Sequence, residues 1–153
     1  MKVGGIDYSE SLINILKRVS AFKNIRECIC DEAINMPTNI KYDAILSTGV
    51  FHYFYNLKYA ESVLEKMLDK TRFSLGIVNM HDEDKKKDFL DFRRKLTPNY
   101  DERYKGLPKL FYNKEFFVQF AKNHNLKIEF VDFQLKGFWD TPYIYNCFMY
   151  KIN

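Results

Sequence analysis

"VGGIDYSESLINILKR", Val3 to Arg18, opens with Val3 and Ile6 flanking two glycines and reaches an acid at Asp7. Ser9 then starts an apolar series, Leu12, Ile15, Leu16 and Val19, at i, i+3, i+4 and i+7, with Lys17 and Arg18 late, where cations suit the helix dipole. The stretch predicts a strand that ends in a carboxylate and feeds a helix capped by Ser9.

The same alternation of strand and helix continues outward. "IRECIC", Ile25 to Cys30, alternates as a short strand and ends at Asp31 and Glu32. "YDAILSTGVFHYF", Tyr42 to Phe54, contains the continuous apolar run Ala44, Ile45 and Leu46, which suits a strand covered on both faces, and ends it with Ser47, Thr48 and Gly49. Leu57, Ala60, Leu64 and Leu68 share a helical face, and "RFSLGIVNM", Arg72 to Met80, is again a strand. The charged stretch from Asp82 to Lys95 alternates sign as a solvated helix. A loop with Pro98, Gly106 and Pro108 leads to Asn113, the cap of a helix carrying Phe116, Phe117, Phe120 and Ala121, which Asn125 stops in the left-handed conformation. Lys127 to Leu135 and Tyr143 to Ile152 are two strands in succession, separated by a loop with Gly137 and Pro142.

That order specifies an α/β fold with a mostly parallel sheet, since each early crossover contains a helix, and an antiparallel strand pair at the end. At 153 residues, 1–153 reads as a single domain. Lys and Arg number 24 against 20 Asp and Glu, a net charge of +4 scattered among acids, which does not favour nucleic acid. Cys28, Cys30 and Cys147 contain no CxxC pair, so neither a disulfide framework nor a metal site is indicated, and a reducing cytoplasmic compartment follows. No run of 18 apolar residues suggests a membrane span. Eleven Tyr and fourteen Phe are read as compositional bias, alongside abundant Lys, Asn and Ile, in preference to base-stacking platforms.

In an open parallel sheet, ligands sit beyond the carboxyl ends of the strands. This chain places Asp7 and Tyr8, Asp31 and Glu32, Ser47 to His52, and Asn79 to Asp82 at those ends. A carboxylate at Asp7 can accept from both hydroxyls of a ribose, Tyr8 can cover a purine face, and Asp31 or Glu32 with the Ala33 amide can read an adenine edge. His52 and His81 are candidate bases for a hydroxyl or amine acceptor. Tyr100, in the long segment after the fourth strand, is a further candidate for lining the acceptor site. The catalytic residue itself is not identified by the sequence.

"VGGIDYSESLINILKR", "CDEAINMP" and "YDAILSTGVFHYF" resemble the second, third and fourth motifs of the class I methyltransferases that use S-adenosylmethionine, and the terminal strand pair resembles the reversed hairpin of their sheet. The resemblance implies a Rossmann-like sheet, S-adenosylmethionine as cofactor, and a small-molecule methyl acceptor. It also implies that Asp7, Tyr8, Asp31, Glu32, Ala33 and Ser47 bind the cofactor. The family's first strand and its glycine-rich loop precede such an aspartate by about twenty or more residues, whereas six residues precede Asp7 here. The expectation is therefore a sheet lacking its first, central strand, completed by self-association or by a complementing N-terminal segment. The competing readings are a non-catalytic relative that acts as a protein-binding or partner subunit, and a nicotinamide-dependent oxidoreductase, which fits the terminal strands less well.

Overall fold

A computed structural model describes residues 2–19, 24–107, 109–132 and 137–152. Met1, Pro108 of the expected loop and positions 133–135 of the expected penultimate strand lie outside the described residues. The chain folds as two compact units, Met1–Ile40 and Lys41–Asn153.

The smaller unit is a parallel strand pair joined through a helix: β1 (Val3–Asp7), α1 (Glu10–Arg18) and β2 (Ile25–Cys30), with a short 3-10 turn over Ala33–Asn35. Gly5 pairs with Cys28 and Asp7 with Cys30, so both strands end level. Ser9 is the helix cap, its Oγ accepting from the Leu12 amide at 3.3 Å. The apolar stripe of α1 differs from expectation. Ile13 is the buried residue, while Leu12, Ile15 and Val19 are exposed. Helical spacing aligns side chains on one face but does not supply the layer that covers it.

The larger unit contains β3 (Tyr42–Thr48), α2 (Leu57–Lys70), β4 (Thr71–His81), α3 (Lys86–Leu96), α4 (Tyr100–Arg103), α5 (Lys114–Asn123), β5 (Leu126–Asp132) and β6 (Ile144–Lys151). Its sheet runs β3-β4-β6-β5, with β3 parallel to β4 and β6 antiparallel to both its neighbours. Asn56 and Asn113 cap α2 and α5 by accepting from the amides of Tyr59 (2.9 Å) and Glu115 (2.8 Å). Asn125, at φ 53°, supplies the left-handed residue after α5.

α2 packs on β3 and β4, and α5 on β5. The buried side of α2 is Ala60, Val63, Leu64 and Met67, with Leu57 exposed. Across the sheet, Leu75 pairs with Met149 and Ile77 with Cys147, and all four are buried. The adjacent rung, Leu46–Gly76–Phe148, projects from the opposite face. There Leu46 is 64% exposed and Ala44 is exposed as well, so the continuous apolar run of β3 does not have both faces covered. A Cβ at Gly76 would come within 2.9 Å of the Phe148 ring and 3.0 Å of Leu46 Cδ1, so a larger residue on this rung needs those side chains to shift. Among the described residues, β1 and β3 each pair along one edge only.

Candidate functional site

In the smaller unit, the level ends of β1 and β2 bring Asp7, Tyr8 and Asp31 together. The Asp31 amide donates to the Asp7 carbonyl at 3.1 Å, and Cys30 Sγ lies 3.8 Å from the Tyr8 carbonyl oxygen. Cys30 is exposed and Cys28 only half-buried. Asp7 Oδ1 accepts from the Ser9 amide at 2.7 Å, which fixes the carboxylate at the strand-to-helix turn. No hydrogen bond reaches Asp7 Oδ2 among the described residues. Tyr8 is 78% exposed, leaving its ring face open.

Asp31 Oδ1 accepts from Asn35 Nδ2 at 2.8 Å and from the Glu32 amide at 2.7 Å. These bonds, the Asn35 side chain first, hold its carboxyl below the usual range. Glu32 precedes the 3-10 turn that begins at Ala33, and its carbonyl accepts from the Asn35 amide at 2.9 Å. Asp7, Tyr8, Asp31, Glu32 and Ala33 thus fall in one strand-end region.

Ser47 lies on β3 of the larger unit, paired with Ile77. Beyond it, Gly49 turns the chain at φ 64° into a short 3-10 helix, Phe51–Tyr53, that carries His52. His81 is the last residue of β4. The two imidazoles stack at 4.6 Å with an interplanar angle of 12°, and both residues are buried.

The segment after α4 locks this arrangement by backbone bonds, with the Leu110 amide donating to the His52 carbonyl and the Tyr112 amide to the His81 carbonyl, both at 2.9 Å. Tyr112 donates its hydroxyl to the Phe51 carbonyl at 2.8 Å and accepts at its own carbonyl from the Tyr145 hydroxyl at 3.1 Å. Burial holds both phenols protonated and pushes the Cys147 thiol up to about 12, so none of the three is a ready nucleophile.

Two members of this region, Asp140 and Asn146, carry no local sequence signal. Asp140, in the turn before β6, brings Oδ2 to 3.6 Å from His81 Nε2. Asn146 on β6 accepts the Asn79 amide at 3.0 Å, and Asn79 itself sits at φ 63°. A non-glycine residue in that conformation near the end of a strand is the kind of backbone feature that accompanies ligand sites. Tyr100 is placed elsewhere: its buried ring lies beside Tyr104 (4.7 Å) and under the Arg93 guanidinium (5.4 Å), which also covers Trp139 at 5.0 Å.

No protein-family model and no characterised sequence matches the chain. Solved structures do. Magnesium protoporphyrin IX methyltransferase from Synechocystis PCC 6803 with bound SAH matches at a TM-score of 0.67 and 13% identity, over 99% of this chain and 64% of that one. N-methyltransferase NodS from Bradyrhizobium japonicum WM9 with S-adenosyl-L-homocysteine matches at 0.68 and 12%, over 99% and 67%. An S-adenosylmethionine-dependent methyltransferase from Clostridium acetobutylicum ATCC 824 matches at 0.66 and 9%, over 100% and 76%. In its SAM-bound form, the Synechocystis enzyme is spanned by this chain over 60% of its length. The strand order, the single reversed strand and these matches together give the chain the fold of the class I S-adenosylmethionine-dependent methyltransferases.

Proposed function

We propose that residues 1–153 form one methyltransferase-like domain that takes part in S-adenosylmethionine-dependent methyl transfer to a small-molecule acceptor. The observation that carries this reading is the β1–β2 end, where the Asp7 carboxylate, an exposed Tyr8 ring and the Asp31–Ala33 turn lie together. It is supported by a fold whose solved examples hold SAM or SAH.

Asp7 would hold the ribose through Oδ2 while the Ser9 amide keeps Oδ1 in place. Tyr8 would flank the adenine, with Asp31 or Glu32 and the Ala33 amide at its edge. Ser47 is the larger unit's candidate cofactor contact, and His52 and His81 are its candidates for the acceptor. Tyr100, a further candidate for lining the acceptor site, has its ring held beneath the Arg93 guanidinium. When bound, S-adenosylmethionine supplies an electrophilic methyl group; the residues named here orient ligands and take up protons.

Calorimetric titration with S-adenosylhomocysteine tests the assignment. Charge-assisted hydrogen bonds to a ribose contribute about 1.5 to 3 kcal/mol each, so Asp7→Ala weakens binding at least tenfold. Unchanged affinity overturns it.

Among the described residues β1 and β3 each pair along one edge only, which supports a second element of the reading, a strand contributed by another molecule. A second copy of this chain is the simplest donor, since twofold contacts are the commonest closed assembly, and a complementing N-terminal segment is the other. Sedimentation at micromolar concentration shows a dimer or larger species in the first case and a monomer in the second. The same edges favour the alternative of a partner subunit without activity if no cofactor binds. Three free cysteines, Cys28, Cys30 and Cys147, fit a reducing cytoplasmic setting. Among the described residues, no helix is long and apolar enough to cross a membrane.

A further inference from the structure

The last turn of α3 carries Arg93, Arg94 and Lys95, cations that suit the negative end of the helix dipole. That accounts for their presence but not for the surroundings of Arg93. Its guanidinium carbon stands 5.0 Å from the centre of the Trp139 ring, 5.4 Å from Tyr100 and 5.8 Å from Tyr104, inside the range of cation–π attraction. Among the described residues it makes one side-chain hydrogen bond, from Nη2 to the Tyr104 hydroxyl oxygen at 3.3 Å, and no ion pair. The neighbouring acids are already engaged. Asp101 accepts two bonds from Arg94 at 2.9 and 3.1 Å, and Asp91 pairs with Lys87 at 3.0 Å and with Arg94 at 3.5 Å.

An arginine side chain offers five N–H donors and no acceptor. Aromatic faces attract its charge and restrain its plane, yet they leave most of those donors without an oxygen. Tyr104 accepts from Arg93, so the hydrogen of its own hydroxyl points elsewhere and adds a donor. The rings are supported independently of Arg93. Trp139 stacks on Phe92 at 5.9 Å and 15°, Tyr100 packs on Tyr104 at 4.7 Å, and the two bonds from Arg94 to Asp101 fasten α4 to α3. Arg93 is half-buried, while Tyr104 and Trp139 are exposed, and the bond between Arg93 and Tyr104 is itself open to water. A ligand reaches these donors without opening the core.

We propose that the Arg93 guanidinium, held among Tyr100, Tyr104 and Trp139, binds the oxyanion of a small ligand, a carboxylate or phosphate group, through paired N–H···O bonds, with the Tyr104 hydroxyl as a further donor. A planar fork suits both groups, and the rings restrain it beforehand, so little side-chain freedom is lost on binding. The site belongs to the larger unit alone. Phe89 links it to the end of β4, with its ring 6.1 Å from Trp139 and 4.6 Å from His81. That this ligand is the methyl acceptor, and that the acceptor therefore carries an anionic group, rests on the methyltransferase reading; oxyanion binding itself does not.

Trp139 is the chain's single tryptophan, so its fluorescence reports on the site. The full chain, without cofactor, is titrated with benzoate and with phenyl phosphate, against benzamide as a neutral counterpart and benzylamine as a cationic one. At least one oxyanion gives a saturable change in Trp139 emission that added salt weakens, benzamide binds at least tenfold more weakly, and benzylamine gives no change. A response to benzoate alone assigns a carboxylate ligand, to phenyl phosphate alone a phosphate, and to both the oxyanion chemistry they share. Arg93→Lys keeps the charge but loses the fork, and lowers the affinity at least tenfold; Arg93→Gln abolishes binding. Equal binding of benzoate and benzamide, no saturable response to either oxyanion, or unchanged affinity in either folded variant overturns the proposal, and the first two outcomes need no variant. The Asp7→Ala titration reads the smaller unit, so its failure leaves this result unaffected, and the reverse also holds.

Discussion

The ends of β1 and β2 and the ends of β3 and β4 occupy equivalent positions on their strands but solve the problem of polar groups in opposite ways. At the first, Asp7 and Asp31 stay accessible to water and are fixed by amides one or two residues along the chain. At the second, His52 and His81 are buried, held through their backbone carbonyls by a segment some thirty to sixty residues away in sequence, and their Nδ1 atoms have no hydrogen-bond partner among the described residues. A local site tolerates single changes because water replaces a lost partner. A buried one depends on its neighbours, and its chemistry is set by them.

Phe89→Ala sharpens this contrast most. Its ring touches His81, Phe111 and Tyr143, and it is 1% exposed, so truncation costs about 3 to 5 kcal/mol in denaturant unfolding. A loss below about 1 kcal/mol would mean that Phe89 packs loosely against His81, Phe111 and Tyr143.

The next effect is a pH dependence. His52 is held at about 3 in the folded chain against an ordinary 6.5, so the unfolded chain binds its proton first as the pH falls. The stability associated with neutral His52 is complete above 6.5 and declines as the pH drops from 6.5 toward 3, at up to about 1.4 kcal/mol per pH unit. His52→Gln removes this component of the slope in unfolding measured across that window. An unchanged slope would show that His52 protonates in the folded state.

Tyr112→Phe leaves the Phe51 carbonyl without its buried donor and costs about 1 to 3 kcal/mol in chemical unfolding. Asn35→Ala gives the smallest effect. The Asp31 carboxyl, observed by NMR titration, moves back up toward its ordinary range, while the melting temperature stays the same within error, because the bond is exposed. A marked fall in melting temperature would place the smaller unit's strand ends in the same class as the buried cluster.

These differences explain what can be read from the residues. The order of elements and the caps at Ser9 and Asn113 are legible because propensity, periodicity and capping act over a few residues. The left-handed stop at Asn125 is legible for the same reason. Asp7 and Asp31 are legible too, since an acid following a strand needs no tertiary information. Asp140 and Asn146 are not, because their meaning depends on segments that reach His81 and Asn79 from elsewhere in the chain. Sequence position alone suggests that Tyr100 lines the acceptor site, but the Arg93 clamp that takes its ring involves residues from α3 and α4 together. The run Ala44 to Leu46 suggests cover on both faces, since apolar residues state a need for burial without stating what meets it.

The interior position of β6 bears on how the chain acquires its sheet. β6 follows β5 in sequence yet lies between β4 and β5, bonded to both. As the chain leaves a ribosome, β3 and β4 can pair beside α2, but β5 has no neighbour to join until β6 has emerged, and β4 keeps an unprotected edge until then. Folding of the larger unit's sheet is therefore completed late, with the β4 edge exposed until β6 is synthesised, which makes the interval between β5 and β6 the period in which a chaperone has most to offer.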